Sequence, residues 1–284
     1  MSTSASTSTS DDEVLLDVQR LTTGFEVRSG WSEALHEISF TVRKREILGL
    51  VGESGSGKST AVRSVLGLLA SGGRVTGGSA CLDGEDLLAC GPRRLREIRG
   101  PQIGFVAQNP FSALNPVIRL SKQFGAIFKA HGLKYSHAER DRCVAMLAAT
   151  GIREPERVIN GYAFELSGGM AQRVVIAMAM VLEPSLVIAD EPTTALDLTV
   201  QRQVLDVFAE LTMIAGRSAL VVTHDLGVVA NYCDRVIVML DGRIVEEGHV
   251  SSVLTDPQHD YTQHLVASAH GRTSHREAVA DGVR

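Results

Sequence analysis

GESGSGKS, Gly52 to Ser59, fits the G-x-x-x-x-G-K-[ST] pattern of a phosphate-binding loop and lies in the context that pattern requires. The apolar run Ile47 to Val51 precedes it, and Ala61, Val62, Val65, Leu66 and Leu69 follow at helical spacing. A strand feeding a glycine-rich turn and then a helix leaves backbone N–H groups and a helix N-terminus aimed at one point, where they hold a polyanion. Gly52, Glu53, Ser54, Gly55, Ser56 and Gly57 make the turn, and Thr60 continues into the helix. Lys58 brings a positive charge to the β- and γ-phosphates, and Ser59 offers a hydroxyl to Mg²⁺. The segment predicts binding of a nucleoside triphosphate.

Such a loop serves many chemistries, so the remaining segments decide between them. LVIADE, Leu186 to Glu191, reads as an apolar strand ending in two carboxylates, which suits a Mg²⁺-associated Asp190 followed by an acid facing the γ-phosphate. Upstream lies LSGGMAQR, Leu166 to Arg173; downstream come Ala195 to Asp197 (ALD) and a strand ALVVT that runs out into His224. Gln108 follows the strand Ile103 to Ala107. The order phosphate loop, Gln, SGG, Asp-Glu, ALD, His resembles that of the ATP-binding cassette (ABC) ATPases.

The resemblance covers roughly Val14 to Ser268. GLVGESGSGKST, QNPFSALNPV, LSGGMAQR, IADEPTTALD, VVTHDLGVVA and PQHDYTQHLV together look like the ATPase subunits of oligopeptide, dipeptide and nickel importers. Asn109 to Val117 and Met170 are the specific pointers. Asp260 departs from that pattern, which often has Pro there, and the cysteine-bearing C-terminal extension of many peptide-type members is missing.

The resemblance implies ATP and Mg²⁺ as cofactors, with Ser59, Gln108 and Asp190 around the metal. It makes Glu191 the residue that polarises the attacking water, His224 the contact to the γ-phosphate, and Gln108 a sensor at the joint to a helical subdomain. Phe25 is the choice for stacking on adenine, with Trp31 the alternative. Ser167, Gly168 and Gly169 would serve the nucleotide of an opposing subunit in a head-to-tail pair, with Asp197 bridging the two sites. The implied partners are a second ABC ATPase, identical or related, two transmembrane permease subunits and, indirectly, an extracytoplasmic solute-binding protein. That places the chain peripherally at the cytoplasmic face of the cell membrane. An ATPase subunit of a soluble assembly of the phosphonate-degrading type is the alternative; a DNA-repair or ribosome-associated cassette and an exporter fit less well.

Composition agrees with a mixed α/β chain: 44% of the 284 residues are hydrophobic and 21% charged, enough for a core without staples. Cys81, Cys90, Cys143 and Cys233 are scattered with no C-x-x-C pair, which argues for reduced thiols and against a zinc or iron–sulfur site. A net charge of −5 with no basic block gives no support to nucleic-acid binding. No apolar run reaches the roughly 18 residues that span a bilayer. MSTSASTSTS has neither a basic nor an apolar signal region and reads as a disordered tail.

The expected fold is α/β: a P-loop ATPase fold with a mostly parallel core sheet, an antiparallel β subdomain and an inserted α-helical subdomain. Val14 to Leu21, Ile38 to Val42 and Arg74 to Leu82 read as the antiparallel strands, and the runs at Ile47, Ile103, Leu186, Leu220 and Val236 as the parallel ones. Leu120, Phe124, Ile127 and Phe128 share a helical face, and Ser136-x-x-Glu139 predicts a capping box opening a helix that stops at Gly151. Asp241-Gly242 predicts a hairpin joining Val236–Leu240 to Arg243–Glu246. The division is an N-terminal tail over 1–12, an ATPase domain over 13–268 with helices inserted at about 109–182, and a C-terminal tail over 269–284.

Overall fold

A computed structural model describes residues 13–269 apart from Ala195; the expected N-terminal tail, and all of the C-terminal tail but its first residue, lie outside the described residues. The chain opens with a long hairpin, β1 (Val14–Val27) and β2 (Gly30–Arg43), before β3 (Ile47–Val51) leads into the glycine-rich loop and α1 (Lys58–Val65). The strands β4 (Gly73–Leu82) and β5 (Glu85–Asp86) return to the hairpin, and α2 (Pro92–Ile98) leads to β6 (Ile103–Val106). A helical stretch follows: α3 (Pro110–Ala113), α4 (Leu120–Ala130), α5 (His137–Ala149), α6 (Pro155–Asn160), a 3₁₀ turn over Ala163–Glu165 and α7 (Gly168–Met180). Then come β7 (Leu186–Asp190), α8 (Leu198–Ile214), β8 (Ser218–Thr223), α9 (Leu226–Tyr232), β9 (Arg235–Leu240), β10 (Arg243–His249) and α10 (Val250–Thr255). A last helix occupies residues 260–269.

Two sheets result. The antiparallel one has the order β2-β1-β4-β5, and the six-stranded one has the order β10-β9-β3-β8-β7-β6. In the latter every pairing is parallel except the β9–β10 hairpin. The parallel strands are buried on both faces, and their period of two divides them between cores. Leu186 and Ile188 of β7, with Leu220 and Val222 of β8, point into a core shared with the antiparallel sheet and α1. Val187 and Ala189, with Ala219 and Val221, point the other way, into a core completed by the helical stretch. Asp190 ends one parallel strand, and the phosphate loop and His224 follow two others, at the C-terminal edge where ligands of open α/β sheets collect.

Helices as short as α4 and α5 are marginal alone, so tertiary burial holds them. Leu120, Phe124 and Phe128 of α4 are fully buried with Cys143 and Leu147 of α5. Truncating either phenylalanine would cost about 3–5 kcal/mol, a large share of the roughly 5–15 kcal/mol that a domain possesses. The Ser136 capping box forms as its spacing predicts.

Candidate nucleotide site

The glycine-rich loop is built by positive backbone angles that side chains resist. Gly57, immediately before α1, has φ of +103°, and a Cβ there would come within 2.9 Å of Leu35 Cδ2. A Cβ on Gly52 would collide with the Met239 carbonyl. The first turn of α1 has no side-chain cap, whereas Ser136, Ser167, Asp197 and Asp225 cap α5, α7, α8 and α9. Its N-terminal N–H groups are therefore left for an external acceptor.

The loop borders an open groove of about 1590 Å³, lined by Gly52 to Gly55 and Gly57 to Thr60, and by Gln108, Glu191 and His224 from the ends of β6, β7 and β8. Lys58 is only 4% exposed. Its Nζ donates to the Gly52 and Glu53 carbonyls, each at 2.8 Å, and to Ser56 Oγ at 3.4 Å. Burial pulls the ammonium below its ordinary pKa, opposed by the carboxylates of Glu191, Asp190 and Glu53.

Ser59 Oγ donates to Asp190 Oδ1 at 2.8 Å, joining the loop to the strand-end carboxylate. Asp190 is 2% exposed, and burial pushes its carboxyl above the ordinary 3.8 despite the Ser59 hydrogen bond and the Arg63 guanidinium 3.9 Å away. Glu191 lies one residue beyond, in the left-handed region with φ of +47°, its N–H donating to the Val222 carbonyl at 2.9 Å. Gln108 Nε2 and Thr194 Oγ1 donate to Glu191 Oε2 at 2.9 and 2.8 Å, and His224 Nδ1 lies 3.4 Å from Oε1. Three separate strand ends thus converge on one carboxylate.

Other sequence candidates sit elsewhere. Ser167 is exposed and caps α7, accepting from the Met170 N–H at 3.4 Å; a Cβ on Gly169 would strike Val200, and one on Gly168 would meet Leu196. Asp197 caps α8, accepting from the Val200 N–H at 3.0 Å. None of these four lines the groove. Nor does Phe25, half-buried on β1 with its ring against Gly73, or Trp31, which packs on Gly24 with the Arg74 guanidinium 4.5 Å above its ring. Sequence reasoning passed over Thr194, visible only as part of PTT, and gave no individual role to Tyr261, whose hydroxyl accepts from the Glu53 N–H at 2.9 Å.

A phosphate loop on a parallel strand, a buried carboxylate hydrogen-bonded to the loop serine and a second carboxylate oriented from two further strands define a P-loop ATPase. A family model described as ABC transporter matches residues 35–194, and the chain belongs to that family. It is 44% identical over 266 residues to the peptidoglycan transport ATP-binding protein YejF of Agrobacterium fabrum, covering 93% of this chain and 49% of that protein. It is 42% identical over 268 residues to the probable peptide ABC transporter ATP-binding protein y4tR of Sinorhizobium fredii, covering 94% and 80% of the two chains. The chain thus spans about half of the first relative and four fifths of the second. Among solved structures, the dimeric post-hydrolysis state of the ATP-binding cassette MJ0796 bound to ADP and Pi matches with a TM-score of 0.73 and 27% identity, over 83% of this chain and 98% of that one.

Proposed function

We propose that this chain is the ATP-hydrolysing subunit of an ABC importer for peptides, nickel or a related small solute, acting as one of two cassettes on a pair of permease subunits served by an extracytoplasmic binding protein. The observation that carries the reading is the convergence of Gln108, Thr194 and His224 on Glu191 beside the Ser59–Asp190 pair. The names of the peptide-transport relatives support the solute class.

The loop N–H groups and the start of α1 hold the phosphates of ATP, and Lys58 turns from the loop carbonyls to the β- and γ-oxygens. The oxygens of Ser59 and Asp190, one hydroxyl and one buried carboxylate, suit a small hard cation that keeps most of its water, as Mg²⁺ does; Gln108 is the third candidate ligand. When bound, that ion supplies positive charge to the phosphate oxygens. Glu191 accepts a proton from the attacking water, Gln108 and Thr194 fix the orientation of its carboxylate, and His224 contacts the γ-phosphate and keeps the water in register. Adenine stacking by Phe25, or by Trp31, requires the ring to turn out of its contact with Gly73 or Gly24, since neither lines the groove. Ser167, Gly168 and Gly169, outside this groove, cover the nucleotide of an opposing cassette, and Asp197 links the two sites.

Permease docking falls on the segment after Gln108. Phe111, Val117 and Ile118 are 47%, 79% and 40% exposed, while Phe124 and Phe128, within the stretch expected to dock, are core residues. The docking face is therefore narrower than Phe111 to Phe128. Among the described residues no helix is long and apolar enough to cross a membrane. Tagging the chain in its own cell, solubilising membranes gently and identifying what co-purifies tests the reading. Two polytopic membrane proteins with a second cassette are expected; recovery of soluble partners alone overturns it.

A further inference from the structure

The helix over residues 260–269 closes one side of the groove, with Tyr261, His264 and Leu265 in its wall. Polar contacts fix where it begins. The Glu246 carboxylate on β10 accepts from the N–H groups of Gln258 at 2.8 Å and His259 at 3.0 Å, and His259 Nδ1 accepts from the Tyr261 N–H at 3.1 Å. Apolar contacts fix where it lies: Val266 is buried in a core with Val51, Leu226, Val229 and Val250, against which Tyr261 and Leu265 also pack. Val51 is the last residue of β3, directly before the loop, so helix and loop stand on one footing.

From that footing the Tyr261 hydroxyl accepts from the Glu53 N–H at 2.9 Å, across 208 residues of sequence. The carbonyl of the same Glu53 accepts from Lys58 Nζ at 2.8 Å and from the Ser56 N–H at 3.2 Å. One loop residue is thus gripped from outside by the tyrosine and from inside by the lysine. A glycine-rich loop has many conformations to lose on gripping a polyanion, and a contact that selects one of them beforehand lowers that cost.

We propose that the 260–269 helix is a clamp on the phosphate-binding loop, with Tyr261 the positioning residue through which it sets nucleotide affinity. The inference rests on the loop being the ATP site. Tyr261 touches no reacting atom; it holds the Glu53 peptide, and through it the loop that Lys58 and Ser56 brace. Its influence therefore falls on binding and leaves the chemical step alone.

The test uses the full chain and Tyr261→Phe, which keeps the ring and removes the acceptor. Titration with Mg²⁺ and a fluorescent ATP analogue is expected to give a Kd about three- to tenfold weaker, the loss of one neutral hydrogen bond. KM should rise in step, with kcat within about twofold and the unfolding temperature of the nucleotide-free chain within about 2 °C of the parent. A purely structural tyrosine would instead lower that temperature and kcat together. Lys58→Ala, measured in parallel, separates the two ideas. If it abolishes binding while Tyr261→Phe binds like the parent, the clamp is wrong and the ATP site stands; if Lys58→Ala binds normally, the ATP site itself is wrong. Should Tyr261→Phe fail to fold, amide exchange at Glu53 in the parent chain decides: a protected N–H supports the clamp, and exchange at the rate of a free amide overturns it.

Discussion

Gln108 Nε2 donates to Glu191 Oε2 at 2.9 Å, tying the residue that precedes the helical stretch to the carboxylate that follows β7. Any movement of α3 relative to the sheet pulls on this bond. Gln108→Ala is expected to leave ATP affinity within about threefold and to slow hydrolysis about tenfold, the worth of one hydrogen bond of roughly 1.4 kcal/mol. Equal turnover by the two proteins would remove Gln108 from the orienting role.

Glu191→Gln keeps the shape and the acceptor oxygen but removes the basic carboxylate. Hydrolysis should fall by roughly 10² to 10⁴ with ATP binding preserved, the size of a general-base contribution. Single-turnover measurements on ATP-loaded protein make the comparison, and an unaltered rate would assign the base elsewhere.

Asp190 carries a pH signature. Burial lifts its folded-state carboxyl above the ordinary 3.8, so between those two values the folded chain keeps a proton that the unfolded chain has lost. Stability therefore declines as pH rises through that window, and the cost persists above it. Asp190→Asn, which has no charge to bury, should unfold at a higher temperature than the parent at pH 7 without nucleotide, with the gain shrinking as pH falls through that window. The same variant should lose the Mg²⁺-dependent part of ATP binding. A lower unfolding temperature at every pH would contradict the account.

Ser167 lies outside the groove that holds Lys58 and Glu191, exposed at the start of α7. Ser167→Trp should therefore leave ATP binding by the isolated monomer within about twofold while preventing ATP-dependent pairing of cassettes, at a cap cost of about 1 kcal/mol to α7. Sedimentation of the Glu191→Gln background with and without Ser167→Trp, in ATP, shows whether the pair forms. Loss of monomer binding would place Ser167 in its own chain's site.

Local chemistry is what the sequence displayed most clearly. The loop glycines, the Ser136–Glu139 box and the Asp241-Gly242 turn each announce themselves within a few residues, and each forms. The β1–β2 hairpin is longer than the expected Val14–Leu21 and Ile38–Val42, because register shifts on either side of Leu21 and Thr23 and a positive φ at Arg20 break the alternation that reveals strands. Helix α8 lies outside the elements expected from the sequence, although Val204, Leu205 and Phe208 give it a buried face. Tyr261 depends on a contact that forms only when segments 208 residues apart meet, and no local pattern marks such a pair; Thr194 reaches Glu191 from three residues away, a spacing that by itself says nothing of a shared carboxylate.

The strands whose alternate residues serve two cores make the chain indivisible as an inheritance. A recombination event that removed the helical stretch would strip part of the cover from Val187, Ala189, Ala219 and Val221, and one that removed the antiparallel sheet would do the same to Leu186, Ile188, Leu220 and Val222. Either loss leaves an apolar sheet face that invites aggregation. Neither lobe is a cartridge that can be traded alone between proteins; a functional exchange has to carry both, together with the strands between them.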